Sequence, residues 1–348
     1  MNTKVKSILY VTFAIFLALS VGTIVAQEEE EEFQSERISR QRIAQTGMKF
    51  LSVSLDARAA SMADAMTAQE ASSAAMFYNP AGMAYMSQQG DITLGQTQWI
   101  ADVTYNMAGI SYNTGIGVFG VFGVMVDYGE FLETIRADNE KGFLDVGTIT
   151  PTASSFGVSY ARALTNRFAV GANVKYAAQD FGKSTIRLDE SGNPVEKQFD
   201  INTMAVDFGI LYKTGFKSLN LAMGLRNFSR EITYSQESFE LPLTFRIGLS
   251  MDMLDITPLD PQMHSFLLSL DTERPRDYYE NIRIGGEYIF MGIFSVRAGY
   301  AFPHDVKGLN AGFGLTSNLG SVGFRFDYAY SEYDTFGNVN RLVLGFNF

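Results

Sequence analysis

The sequence predicts an all-β protein: a transmembrane antiparallel β-barrel of about fourteen strands, of the bacterial outer-membrane kind, with a small, partly helical N-terminal plug in its lumen. Three observations predict it. Apolar side chains alternate with polar or small ones from residue 91 to the end of the chain. A secretory leader stands at the start, and the last residues alternate into a terminal phenylalanine.

The 348 residues would serve two soluble domains or one large barrel, and composition favours the barrel. There are 32 glycines, 28 phenylalanines and 17 tyrosines beside a single tryptophan. Mean hydropathy is close to zero. A helical membrane protein would sit far higher, since each span needs about 20 mostly apolar residues. In a barrel, lipid-facing and lumen-facing residues cancel along each strand. Cysteine is absent, which excludes a disulfide framework, a thiolate metal site and a lipid-modified cysteine anchor.

Residues 1–26 read as a signal peptide. Lys4 and Lys6 form its positive end, Ile8 to Val25 its apolar run, and Thr23-Ile24-Val25-Ala26 a cleavage site before Gln27. The competing reading is a membrane anchor, because the run is about 18 residues long. The acidic string Glu28 to Glu32 that follows favours cleavage. Without Lys4 and Lys6 the mature chain keeps 25 of its 27 basic residues against 38 acidic ones, a net charge of −13. Such a chain is a poor partner for nucleic acid, which needs a basic stripe.

Residues 27–43 are polar and charged and read as a flexible start. Residues 44–88 are rich in Ala and Met and too weakly apolar to build a core of their own. The run Ala57-Arg58-Ala59-Ala60-Ser61-Met62-Ala63-Asp64-Ala65-Met66 is compatible with a helix, and Asn79-Pro80-Ala81-Gly82 is a turn signal. Small residues at this density predict a segment packed tightly inside something else.

The barrel itself is expected over 89–348. Its strands are predicted near 91–99, 103–113, 117–127, 154–162, 167–177, 203–213, 218–227, 243–253, 264–271, 282–290, 293–302, 309–316, 321–331 and 340–348. The last five are clearest. Ile282, Ile284, Tyr288 and Phe290 oppose Arg283, Gly285 and Glu287, and Phe294, Val296, Ala298, Tyr300 and Phe302 oppose Ser295, Arg297, Gly299 and Ala301. Leu309, Ala311, Phe313 and Leu315 oppose Asn310, Gly312, Gly314 and Thr316. Val322, Phe324, Phe326, Tyr328 and Tyr330 oppose Gly323, Arg325, Asp327 and Ala329, and Leu342, Leu344, Phe346 and Phe348 oppose Arg341, Val343, Gly345 and Asn347. The second face of each pair mixes glycine with charge. In a crowded lumen glycine makes room, and Arg283, Glu287, Arg297, Arg325 and Asp327 are expected to pair across the wall or with a plug.

Connections after odd-numbered strands are mostly long (128–153, 178–202, 228–242, 272–281, 332–339), and those after even-numbered strands mostly short (114–116, 163–166, 214–217, 291–292, 317–320). A short 100–102 and a longer 254–263 are the exceptions. Long outer loops alternating with short periplasmic turns is the outer-membrane pattern, with both termini expected in the periplasm. Trp99, Tyr105, Tyr112, Tyr128, Tyr176, Tyr212, Tyr300 and Tyr330 are expected in interfacial girdles, although sheet propensity alone explains some of them.

The terminal Leu344, Phe346 and Phe348 resemble the signal by which barrel-insertion machinery recognises its substrates; an ordinary edge strand is the bland alternative. The opening carries the more specific likeness. Gly47-Met48-Lys49-Phe50-Leu51, then Asp56 to Ala65, then Tyr78-Asn79-Pro80-Ala81-Gly82-Met83 resembles the start of the PorV/PorQ family of FadL-like outer-membrane proteins, with its "ARAxGMGxA" run and "NPAG" turn. Ser61 departs from a family glycine, and Ala63-Asp64 replaces a Gly-Gly pair.

The resemblance implies a fourteen-stranded barrel with an N-terminal luminal plug. It implies a shuttle or docking protein for cargo of type IX secretion, with secretion-system proteins as partners beside outer-membrane lipid. FadL-like relatives supply the alternative, a passive channel for fatty acids or other hydrophobic small molecules. Asn79, Pro80 and Gly82 would shape a turn of the plug, and Arg58 would sit among luminal acids such as Glu287 or Asp327.

No enzyme and no cofactor are expected. The two histidines, His264 and His304, lie outside any motif, whereas a rim phospholipase or protease needs His paired with Ser or Asp. Asp138 and Glu140 suit a solvated loop better than a calcium site. Gly115-Ile116-Gly117-Val118-Phe119-Gly120 superficially matches a dinucleotide fingerprint, but strand alternation follows where a helix is required.

Overall fold

The computed structural model describes residues 44–190, 193–234, 237–258, 260, 263–303 and 308–348. The expected signal peptide 1–26, the acidic start 27–43 and His304 lie outside the described residues. Among the described residues eighteen strands follow one another: β1 (Gly90–Gln98), β2 (Thr104–Asn113), β3 (Val118–Asp127), β4 (Phe131–Arg136), β5 (Phe143–Ile149), β6 (Thr152–Ala163), β7 (Phe168–Leu188), β8 (Pro194–Lys213), β9 (Asn220–Phe228), β10 (Ile232–Tyr234), β11 (Glu237–Phe239), β12 (Thr244–Asp252), β13 (His264–Pro275), β14 (Asn281–Phe290), β15 (Phe294–Phe302), β16 (Asn310–Leu319), β17 (Val322–Glu332) and β18 (Asn338–Asn347). Fourteen of them close one antiparallel barrel in the order β1-β2-β3-β6-β7-β8-β9-β12-β13-β14-β15-β16-β17-β18. The seam is sealed by β1 against β18, with Leu94 opposite Leu344, and Gly90 and Phe348 exchange backbone hydrogen bonds at 2.9 and 3.0 Å.

Period two becomes two faces. On β2, Tyr105, Met107, Gly109 and Ser111 are buried while Ala108, Ile110 and Tyr112 are exposed. On β15, Ser295, Arg297, Gly299 and Ala301 are buried, and Phe294, Val296, Ala298, Tyr300 and Phe302 are exposed. An outward band of Phe, Ile, Leu, Val and Met around the whole wall far exceeds the apolar patch a soluble monomer exposes, and it fits hydrocarbon. Among the described residues no helix is long and apolar enough to cross a membrane.

The expected loops carry more strand than predicted. Connection 128–153 holds the hairpin β4–β5, and 228–242 the hairpin β10–β11. Much of 178–202 continues β7 and β8, which pair out to Leu188 and Pro194. Residues 181–188 have polar side chains on both faces, so they show no amphipathic alternation and read as loop.

One barrel end carries the connections β3–β6, β7–β8, β9–β12 and β13–β14, and the other carries the short turns and Phe348. Residues 46–88 run between the two ends. Gly47 N–H donates to the Glu240 carbonyl at 3.1 Å in the β9–β12 connection, whereas Asn113 at the short-turn end donates its side-chain amide to the Met86 carbonyl at 3.2 Å. Thr46 therefore stands at the long-loop end, opposite Phe348, although both termini were expected on one side; the chain before residue 44 lies outside the description.

Candidate functional site: a charged lumen and an aromatic mouth

Short, locally specified elements place the side chains of residues 46–88. Asp56 caps the one-turn helix α1 (Ala57–Ser61), its carboxylate accepting from Ala59 N–H at 2.9 Å. Ala57, Ala59 and Ala60 are fully buried, since a bare methyl lets the backbone lie close to the wall. Behind the helix, Ala63 and Asp64 both adopt left-handed φ values of 53° and 65°, a conformation that glycine takes most readily and at the positions where a Gly-Gly pair was expected. The wall answers with glycines: a Cβ added to Gly299 would stand 2.5 Å from the Ala63 nitrogen, and one added to Gly312 would stand 2.6 Å from the Ser61 Cβ.

The Asn79-Pro80-Ala81-Gly82 turn is pinned in the same way. Buried Asn79 donates to the Thr67 carbonyl at 2.8 Å and to the Ile210 carbonyl of β8 at 3.1 Å, and it accepts from Ala81 N–H at 3.1 Å. Pro80 opens the 3₁₀ helix Pro80–Tyr85. Gly82 lies where an added Cβ would meet the Gln69 carbonyl at 2.7 Å. The contacts of all three are backbone or wall contacts.

Among the described residues, three clusters of buried ion pairs stand out. In the first, Arg58 donates to Glu287 at 2.6 and 3.1 Å and to Gln69 at 2.9 Å. Glu287 also accepts from Arg297 Nε at 2.6 Å, Arg297 donates on to Asp327 at 2.6 Å, and Arg325 closes the row with Asp327 at 2.9 Å. In the second, Arg283 joins Asp64 at 2.8 Å to Glu273 at 2.7 Å, and Arg246 pairs with the same Glu273. In the third, Lys175 and Asp207 pair at 2.7 Å, with Asn227 N–H donating to Asp207 at 2.7 Å. Sequence patterning named Glu287, Arg297, Arg325, Asp327 and Arg283, and the family resemblance added Arg58, but Lys175–Asp207 and Glu273–Arg246 were missed, their strands being read less clearly. Charges buried this deeply persist when each has a partner; the first two clusters join segment to wall through Arg58 and Asp64, and the third ties wall strands β7, β8 and β9 to one another.

Above these clusters, at the long-loop end, lies a pocket of about 660 Å³. Phe50, Trp99, Val103, Tyr105, Tyr128 and Tyr333 supply its apolar surface, with Lys49, Asp64 and Arg283 at its polar edge. Trp99 packs edge-on against Tyr105 at 6.3 Å and Tyr333 at 5.1 Å, and the Arg341 guanidinium lies 5.6 Å from its ring. Tyr112, Tyr176, Tyr212, Tyr300 and Tyr330 are exposed on the outer wall as expected of girdles, but Trp99, Tyr105 and Tyr128 are not. Tyr105 shares its strand face with Gly109 and Ser111, so parity along β2 carried the signal that it points inward.

The remaining candidates stand apart. Leu344 and Phe346 lie half-buried on the outer face, where Phe346 packs against Phe324 at 5.5 Å, and Phe348 is exposed beside Gly90. His264 shares a 2.7 Å hydrogen bond with the Tyr288 hydroxyl. Among the described residues no group of three or more His, Cys, Asp or Glu is placed to hold a metal.

A closed fourteen-stranded antiparallel barrel with an apolar outward band is the architecture of an outer-membrane β-barrel protein. Solved structures agree on the fold. The Pseudomonas putida toluene transporter TodX matches with a TM-score of 0.57 at 10% identity, over 88% of this chain and 99% of that one. The Ralstonia pickettii toluene transporter TbuX matches at 0.55 and 12%, over 83% and 96%. A Pseudomonas aeruginosa FadL homologue matches at 0.52 and 11%, over 85% and 98%. No curated protein matches in sequence. Residues 36–258 match the family described as type IX secretion system protein PorV, and the chain belongs to that family. It is an outer-membrane β-barrel protein.

Proposed function

We propose that this barrel serves protein export or surface attachment in type IX secretion, docking secreted proteins at its long-loop end. That end faces outward, and residues 44–88 act as a plug that keeps the lumen from being a free pore. Family membership supplies the secretion context. The observation that carries the docking reading is the aromatic mouth pocket, set in a rim of long hairpins above a lumen crossed by ion pairs. Large, rigid aromatic side chains suit recognition of a protein segment. The terminal Leu344, Phe346 and Phe348 are read by the barrel-insertion machinery before any of this operates.

The alternative is passive uptake of hydrophobic small molecules, favoured by the fold shared with two toluene transporters. Purification of native complexes from outer-membrane extracts separates the two. Secretion components that co-purify, and are lost when Trp99 and Tyr128 are changed to Ala, support docking. A barrel that comes out alone, with a lipid-like molecule bound and growth on hydrophobic substrates impaired by its deletion, would replace docking with uptake.

A further inference from the structure

Residues Lys49–Val53 form a partition. Phe50 and Val53 line both the mouth pocket and a cavity beneath it. Leu51 lines that lower cavity and a third one of about 200 Å³, while Lys49 and Ser52 line the third cavity and the mouth. Only about 30 Å³ of the lower cavity stays open, because Phe50, Leu51, Val53 and Leu55 fill the space beside Met76, Phe77, Phe122 and Val124. Ser155 lines it too, its buried hydroxyl without a hydrogen-bond partner, and so does the Lys175–Asp207 pair. This chamber is occupied by the chain's own apolar side chains.

The partition is fastened differently at its two ends. From Ser54 onward it is built into the lumen: the Ser54 carbonyl accepts from Arg341 at 2.9 Å, its hydroxyl bonds to Asp64, and Asp56 caps α1. Before Ser54 the polar ties converge on the β9–β12 and β13–β14 connections. Asp277 accepts from Thr46 at 2.5 Å and from Lys49 at 2.7 Å, and the backbone bridges to Glu240. Arg226 reaches the Leu51 carbonyl only at 3.5 Å.

We infer that Thr46–Val53 is a strap hinged at Ser54 and latched by Asp277, and that its release joins the mouth pocket to the chamber beneath. The inference rests on the docking reading above and gives its regulation: apolar side chains of an extended segment of the docked protein replace those of the strap. The chain contains no cysteine, so one reporter thiol reads the motion directly.

The test uses the full-length barrel in detergent micelles, carrying Ser155→Cys, and a small water-soluble methanethiosulfonate reagent. With the strap latched the thiol reacts slowly. With Asp277→Asn added it reacts at least tenfold faster, and amide exchange rises over residues 46–53 while 57–83 stay protected. An unchanged reaction rate overturns the strap. So does faster exchange throughout 57–83, which means that the whole segment has loosened. The exchange measurement on Asp277→Asn alone decides the question if Ser155→Cys does not fold. Neither readout involves a partner, so failure of the strap leaves docking standing, and failure of docking leaves the strap measurable.

Discussion

Arg58 and Glu287 meet at 2.6 Å across the boundary between the N-terminal segment and the wall, and Glu287 accepts from Arg297 at the same distance on its other side. One carboxylate, 1% exposed, therefore neutralises two guanidiniums contributed by different parts of the fold. Its removal strands Arg58 and leaves Arg297 with Asp327 alone. Glu287→Ala is expected to lower the unfolding free energy by about 3–5 kcal/mol, the usual consequence of leaving a buried charge unpaired. Arg58→Ala leaves Glu287 held by Arg297 and should lose clearly less. Urea titration in micelles, following heat-modifiable migration, compares the two, and equal losses would contradict the shared-carboxylate arrangement.

The wall glycines make a steric prediction. Gly299 faces the backbone of Met62 and Ala63, whereas an added Cβ on Gly286, one strand away, would meet only the Phe266 ring at 3.4 Å. Gly299→Ala should displace the segment and cost about 1–3 kcal/mol by overpacking. Gly286→Ala should cost a few tenths at most. Raised amide exchange of residues 57–65 in the first variant alone is the expected signature.

Asp277 gives a pH dependence with a definite sign. Burial pushes its carboxyl up, but hydrogen bonds from Lys49 and Thr46 outweigh burial and set it below its ordinary 3.8. A carboxylate with a lowered folded-state pKa stabilises the structure fully above the unfolded value and loses that contribution as pH falls through the folded one. Attachment of residues 46–52 should therefore be flat from pH 7 to about 4 and weaken below that. Asp277→Asn should show no such step. Exchange measured on a pH series checks it after correction for intrinsic rates, and a step near pH 6 would assign the attachment to another group.

The parts of this protein that sequence made legible are those in which one face is uniformly apolar. Fourteen barrel strands follow from alternations such as Val322-Phe324-Phe326-Tyr328-Tyr330, because a lipid-facing side chain cannot be polar at mid-strand. The hairpin extension at 181–188 is illegible for the converse reason, neither of its faces being uniformly apolar. The Arg58–Glu287 contact lies between residues 229 positions apart, and only the resemblance at the plug supplied a partner list for it. The mouth pocket was half-legible. Trp99 and Tyr128 stand at strand ends, where a girdle and a rim have the same composition, but the parity of Tyr105 with Gly109 and Ser111 already pointed it inward.

The outward face makes the last prediction, and it bears on where the barrel resides. Ile110 is 45% exposed, lies inside β2 three residues from its end, and is paired with Ile92 and Val121 on its neighbours. In water, Arg there would be harmless or favourable, because a charged side chain replaces an exposed apolar one. In hydrocarbon the guanidinium must be dehydrated or reach for the interface, and at the bilayer midplane of a barrel this costs about 2–4 kcal/mol. At Leu319, at the short-turn end of β16 and 77% exposed, the same substitution falls near the interface and should cost less than about 1 kcal/mol. Unfolding titrations in lipid vesicles should therefore rank Ile110→Arg well below Leu319→Arg. In a lipid-free, detergent-exchanged amphipol the gap should shrink as the thickness constraint relaxes. Equal stability of the two variants in vesicles would mean that Ile110 does not face lipid, and the outward band would then need another occupant.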